Sequence, residues 1–291
     1  MKNKAKLIEI VKKYGIPPFD QDLIDCIEYS IRLTSTSSSK IKIGQTKFGG
    51  NPHLPNKADW PKTFDGNHYS FLLQVNLSEI TNYDSSKLLP QSGMLYFFLN
   101  LESWNDGQVV YKNNFTTLKE ITPPTDILVE KKTFLQRIFN WKGRSHYLNE
   151  FGIKINKTFY VPSFDSLRVD RIAKKHNIKK RNYPIFTEEV YEEELFYEDG
   201  ENEMTSNHHL LGLYNGIQNE YHEIELINSN SKNINIEDIE KALNWKLLLQ
   251  IDSDKLMNWS WGDWGKIYFF IHQDDLRNGA FEKVQIIGEC Y

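Results

Sequence analysis

The sequence predicts an α+β fold, with two related, mostly antiparallel β-sheet halves from an internal duplication and an N-terminal helical pair ahead of them. Three observations predict it. Short apolar runs at 71–77, 93–99, 247–253 and 265–271 have the length and aromatic content of strands. Those runs match in pairs. Near the N-terminus, Leu7, Ile8 and Val11, then Leu23, Ile24, Ile27 and Ile31, recur at helical spacing instead.

Taken in order, the first helix is stopped by Gly15-Ile16-Pro17-Pro18. The second is capped by Asp20 or Asp22, with Leu23, Ile24, Ile27 and Ile31 as its apolar stripe. The polar cluster Thr34 to Ser39 reads as a flexible joint. Residues 1–36 are therefore expected to be helices packed on the main body, and 37–291 the main domain. Within it, repeat halves cover about 41–104 and 206–291, and an irregular charged insert covers about 105–205.

The repeat is the strongest internal signal. Phe71-Leu72-Leu73-Gln74-Val75-Asn76-Leu77 resembles Leu247-Leu248-Leu249-Gln250-Ile251-Asp252-Ser253. A polar connector follows each, then Gly93-Met94-Leu95-Tyr96-Phe97-Phe98-Leu99 or Gly265-Lys266-Ile267-Tyr268-Phe269-Phe270-Ile271. A fainter match aligns Phe48-Gly49-Gly50-Asn51-Pro52 with Leu211-Gly212-Leu213-Tyr214-Asn215. Two copies at this spacing indicate a paired unit rather than a solenoid. Strand parity puts each Gln on the same face as the polar residue two positions on, Asn76 or Asp252. A buried Gln needs partners, so Gln74 and Gln250 are expected either to tie their strands to nearby backbone or to meet a ligand.

Composition excludes several function classes. The 291 residues carry 35 basic and 39 acidic side chains, for a net charge of −4, which lacks the basic excess of a nucleic-acid binder. No apolar run approaches the ~20 residues of a membrane-spanning helix. The N-terminus has no secretory core. Cys26 and Cys290, at opposite ends, read as free thiols in a cytoplasmic protein. A basic stretch from Arg168 to Arg181 surrounds an expected helix, and an acidic run from Glu188 to Glu203 follows. Such runs are solvated helix faces or a polarised surface that recruits a charged partner.

No phosphate loop, dinucleotide fingerprint, nucleophile elbow, Cys-x-x-Cys or His-Glu-x-x-His occurs, so no cofactor is expected. Adjacent His208 and His209 face opposite sides of a strand and cannot easily share a metal. Asp252, Asp254, Asp263 and His272 offer carboxylates and an imidazole to a hard cation, or serve as caps and turns. Trp259, Trp261 and Trp264, with Asp263 near as an indole acceptor, form either a stacking platform for a sugar or partner loop, or a plug in the sheet core. His53, in a rigid Pro-rich loop, has no neighbour in sequence to orient it as a base.

Lys47-Phe48-Gly49-Gly50-Asn51-Pro52-His53-Leu54-Pro55 with Trp60-Pro61, and the two strand pairs above, resemble motifs of the YwqG-like family, a bacterial domain of unknown function. Trp245, Trp261-Gly262-Asp263, Asp274-Asp275-Leu276 and Phe281 continue the resemblance. It implies a cytoplasmic α+β protein without an assigned reaction, and its members also occur in gene sets concerned with toxins and their antagonists. The expectation is a non-catalytic module that binds another protein, in its narrower form a toxin antagonist of the immunity type, and neither nucleic acid nor membrane. The alternatives are a metal-assisted hydrolase on Asp252, Asp254, Asp263 and His272, and a carbohydrate binder on the Trp loop.

Overall fold

The computed structural model describes residues 3–37, 40–113, 117–128, 146–186, 190, 195, 205–218, 221–227 and 234–291. The chain opens with helices α1 (Lys4–Tyr14) and α2 (Phe19–Asp25). Strands β1 (Glu28–Thr36), β2 (Lys47–Phe48), β3 (His53–Leu54) and β4 (Ser70–Asn76) follow. Next come α3 (Leu77–Ile80), β5 (Met94–Leu99), β6 (Gly107–Lys112), β7 (Lys119–Glu120) and α4 (Thr125–Leu128). The rest comprises β8 (Phe151–Tyr160), α5 (Leu167–His176), β9 (His209–Leu210), α6 (His222–Leu226), α7 (Ile236–Ala242), β10 (Trp245–Asp252), β11 (Lys266–His272), α8 (Gln273–Arg277) and β12 (Gln285–Glu289).

Ten strands form one antiparallel sheet in the order β12-β11-β10-β9-β1-β8-β2-β4-β5-β6. The order reads alike from both ends: a three-strand meander, a two-residue strand, then a long central strand. The outer hairpins match in register, with Gln74 opposite Tyr96 and Gln250 opposite Tyr268. Each has an irregularity at the same step, between Phe71 and Leu73 or Leu247 and Leu249. After β2 and β9 the backbone turns left-handed at Gly49 and Gly50 (φ 52° and 71°) and at Leu211 and Gly212 (φ 60° and 80°). Phe48 therefore corresponds to Leu210 and Gly50 to Gly212, one residue away from the sequence alignment. Gly49 has no alternative, since a Cβ there would lie 2.1 Å from the Asn149 carbonyl.

Three expectations are corrected. The second helix ends at Asp25, and Glu28–Thr36 is a strand paired with β8 over its whole length. Tyr29, Ile31 and Leu33 alternate, and nine rungs of ladder outweigh a marginal helix. Thr34 to Thr36 belong to that strand rather than to a joint. Residues 151–160, assigned by sequence to the irregular insert, form the ten-residue strand β8 at the sheet centre. The expected basic helix is α5, whereas the acidic residues Glu188 to Glu203 lie outside the described residues.

The main core draws on both halves, with Leu73, Val75, Phe97, Leu249, Ile251 and Phe269 buried together. Phe97 and Phe269, at matching positions, meet edge to face at 5.4 Å. The sheet curls, so that Tyr111 of β6 reaches Phe281 just before β12 at 5.5 Å. A second cluster packs α1, α2 and α5 together through Leu7, Phe19, Leu23, Val169 and Ile172. No helix among the described residues is long and apolar enough to cross a membrane.

Candidate functional site

Gln74 and Gln250 are fully buried and do the same local work. Gln74 Oε1 accepts the His53 amide at 2.8 Å, and Gln250 Oε1 accepts the Asn215 amide at 3.0 Å. The Tyr96 hydroxyl donates to the His53 carbonyl at 2.6 Å, and the Tyr268 hydroxyl to the Asn215 carbonyl at 2.7 Å. Each Gln–Tyr pair thus clamps both backbone groups of one residue, His53 or Asn215. The amide nitrogens are engaged as well: Gln74 Nε2 reaches the Gln45 carbonyl and His53 Nδ1, and Gln250 Nε2 donates one proton to Asp252 Oδ1. Buried amides tied to neighbouring protein groups in this way have a structural role.

Asp252 and Asp254, alike in parity, do gather, but around His208. Asp252 Oδ2 accepts the Asn207 amide at 2.9 Å, and the Asp252 amide donates to His208 Nδ1 at 3.0 Å. His208 therefore carries its proton on Nε2, which donates to Asp254 Oδ2 at 3.0 Å. Ser35 and Ser206 donate to the same oxygen at 2.8 and 2.9 Å, and the Met257 amide fills Oδ1 at 2.9 Å. Burial raises the Asp254 pKa, but His208 and the Met257 amide outweigh it and hold the carboxyl far below the usual range. A carboxylate that accepts four donors is not poised to take up a cation. His272 sits at the opposite end of β11 and caps α8 through the Asp274 amide, and Asp263 is exposed in the β10–β11 turn. The sequence-derived metal set does not converge, and no group of three His, Cys, Asp or Glu among the described residues is arranged to hold a metal.

The Trp loop is a plug. Trp259 and Trp261 are 3% exposed in the main core, where Trp259 meets Phe48 edge to face at 5.7 Å. Only Trp264 reaches the surface, with the Lys255 ammonium 5.3 Å from its ring centre. Asp263 supplies no acceptor: both buried indole N–H groups lack a partner among the described residues. A sugar platform needs exposed ring faces, and two of the three indoles have none.

Two surface concavities offer chemistry that local sequence did not reveal. The larger, a groove of about 740 Å³, lies between α2, α5 and α7. Its walls carry Asp22 and Asp25, Arg171, Lys174 and Lys175, and Glu240, over Cys26 and Ile172, with Ile236 half exposed at the rim. Charges of both signs alternate: Lys175 pairs with Asp22 at 2.8 Å and Arg171 with Glu240 at 3.8 Å. Hydrogen bonds from Lys175 and His176 lower the Asp22 pKa. Burial raises the Cys26 thiol pKa despite the nearby Arg171, so this cysteine is not an activated nucleophile.

The second concavity is polar and lined by Thr63, Asp65, His68, Glu102, Asp126 and His146. Asp126 accepts the His68 amide at 2.7 Å and holds His68 Nδ1 at 3.0 Å. Burial raises the Asp126 pKa, but the His68 amide and ring lower it further, so the carboxylate stays charged. A carboxylate that fixes Nδ1–H leaves the Nε2 lone pair for base work. The pair is separated by 58 residues in sequence, and only the fold assembles it.

The profile of the Domain of unknown function (DUF1963) family matches residues 46–290, and the chain belongs to that family. No curated protein matches it.

Proposed function

We propose that this protein is a doubled β-unit serving as a non-catalytic, cytoplasmic module that binds another protein through the groove between α2, α5 and α7. The single observation behind the binding role is that groove: about 740 Å³, apolar at its floor and rim, and walled by charges of both signs. Such walls suit an extended polypeptide segment that carries both signs of charge and an apolar side chain for Ile236. The doubling is supported by the palindromic strand order and by the matched Gln–Tyr clamps. Cys26 and Cys290 are free thiols, in keeping with a reducing compartment. The YwqG-like motifs carry the narrower form of the reading, in which the partner is a toxin.

The protein, immobilised in a lysate of its own source, is expected to retain one partner stoichiometrically. Ile236→Asp and Arg171→Glu are expected to release that partner at unchanged Tm. Recovery of no stoichiometric partner, or equal retention by the variants, overturns the binding role. If the partner is a toxin, co-expression of the wild type but not of Ile236→Asp restores growth.

One observation favours a second reading, hydrolysis of a small neutral ester: the Asp126-oriented His68 in its polar cleft. Turnover of p-nitrophenyl acetate is then expected to exceed that of free imidazole and to fall at least tenfold in Asp126→Asn. A rate equal to free imidazole in the wild type excludes it.

A further inference from the structure

Among the matched core positions at which the two halves differ, one changes the chemistry from indole to imidazole. Seven residues after the clamped residue, the first half has Trp60 and the second His222. Trp60 packs on Phe98 at 5.7 Å, and its indole N–H donates to the Tyr69 carbonyl at 2.8 Å. His222 packs on the corresponding Phe270 at 6.3 Å and on Tyr268 at 5.1 Å. It is 3% exposed, yet neither ring nitrogen has a hydrogen-bond partner among the described residues. Glu289 Oε1 is 3.4 Å from Nε2, in ion-pair range, and already accepts the Ile217 amide, with the Tyr268 hydroxyl 2.6 Å away. A buried imidazole nitrogen without a hydrogen bond carries a desolvation cost that a ligand can recover.

A cavity of about 360 Å³ lies against His222 and is lined by Asn105, Gln218, Glu225, Ile286, Ile287 and Glu289. Glu289 is mostly buried in its wall, and Glu225 is exposed at its mouth. Among the described residues that line it there is no Lys or Arg. Two carboxylates repel an anion. An imidazole nitrogen that carries no proton offers a lone pair to a donor. The isoleucines of β12 suit an aliphatic stem.

We propose that this cavity binds a primary alkylammonium group. Its N–H donates to a His222 ring nitrogen, its charge faces Glu289 and Glu225, and its methylene chain lies along Ile286 and Ile287. The same chemistry comes from a free diamine or from a lysine side chain of another polypeptide. The site does not depend on the groove between α2, α5 and α7.

The test is calorimetric titration of the full chain at low salt with putrescine and, separately, with a short lysine-containing peptide and its acetyl-lysine form. Saturable 1:1 binding of at least one amine is expected, together with movement of the His222 ring ¹⁵N resonances. Putrescine alone identifies a free diamine, and the lysine peptide alone, lost on acetylation, identifies a side chain. His222→Trp, which installs the residue of the other half, is expected to weaken binding more than tenfold. Should that variant misfold, Glu225→Gln is expected to weaken binding severalfold, with the ring resonances as an independent readout. No saturable binding of either amine, unmoved ring resonances, or undiminished affinity in a folded His222→Trp overturns the proposal.

Discussion

Replacing Asp254 with alanine is expected to lower the unfolding free energy by about 3 kcal/mol, the usual scale for removing one member of a buried charged network. The carboxylate gathers Ser35 of β1, Ser206 and His208 ahead of β9, and the Met257 amide after β10. Three chain segments far apart in sequence therefore share one acceptor. Its loss leaves the His208 Nε2–H buried beside Phe48, whose ring centre is 5.1 Å away, with no acceptor of comparable strength. Asp254→Asn separates charge from shape, because the amide keeps one oxygen but presents N–H to donors on its other side. It is expected to cost most of the same amount. The folded pKa is depressed, so the stabilisation is complete above the ordinary carboxylate range and is lost as pH falls below it. Urea titration at pH 7 measures the effect, and a loss below 1 kcal/mol for the alanine variant shows that the network is not cooperative.

How much of this was legible in the sequence depended on strand length and polarity. β4, β5, β10 and β11 are long, apolar and aromatic, so their pairing and the matched positions of Gln74 and Gln250 were readable. β2 and β9 have two residues each, too few for any periodicity, and the alignment of Gly49 with Gly212 slipped by one. Leu211 explains the slip: it adopts a left-handed conformation where the first half uses glycine, so composition pointed to the wrong residue. β8 was missed because Lys154, Asn156 and Lys157 break its apolar pattern, although backbone pairing with β1 and β2 makes it a strand. β1 was misread because Leu23, Ile24, Ile27 and Ile31 satisfy a helical period while Tyr29, Ile31 and Leu33 satisfy a strand period.

The site residues divide along the same line. The shared face of Gln250 and Asp252 followed from parity and held, since these two side chains bond directly. Asp254 joins them at His208, a partner that no spacing rule connects to it. Chemistry assembled from distant segments, such as His68 with Asp126, left no local trace. The Trp loop misled for a different reason. Indoles have large surfaces that serve equally as platforms or as core, and burial is decided by the curl of the sheet rather than by the loop itself.

The second large effect is a loss of stability on the acid side of neutrality, traced to His53. Its Nδ1 accepts the Gly44 amide at 3.1 Å and stands 2.8 Å from Gln74 Nε2. Protonation at Nδ1 would set a new N–H against two existing donors. Burial, and then repulsion from Lys47, pull the pKa down to about 4 from the ordinary value of 6.5. Between these values the unfolded chain binds a proton that the folded chain refuses, so the contribution is intact above pH 6.5 and declines as pH falls towards 4. The full shift corresponds to about 3 kcal/mol, and solvent screening reduces the expected figure to about 2 kcal/mol. Glu289, held at about 2, weakens the fold only below the 4.5 of an ordinary glutamate, so pH 4.5 to 6.5 isolates the histidine from that carboxylate. His53→Asn is the informative variant. Asparagine stands at the matching position, Asn215, and its oxygen can accept where Nδ1 did without titrating. At pH 7.5 the variant is expected to be less stable than the wild type, and the gap is expected to narrow by about 2 kcal/mol at pH 4.5. A gap of the same size at both pH values, measured by urea denaturation, would mean that His53 titrates alike in the folded and unfolded chain.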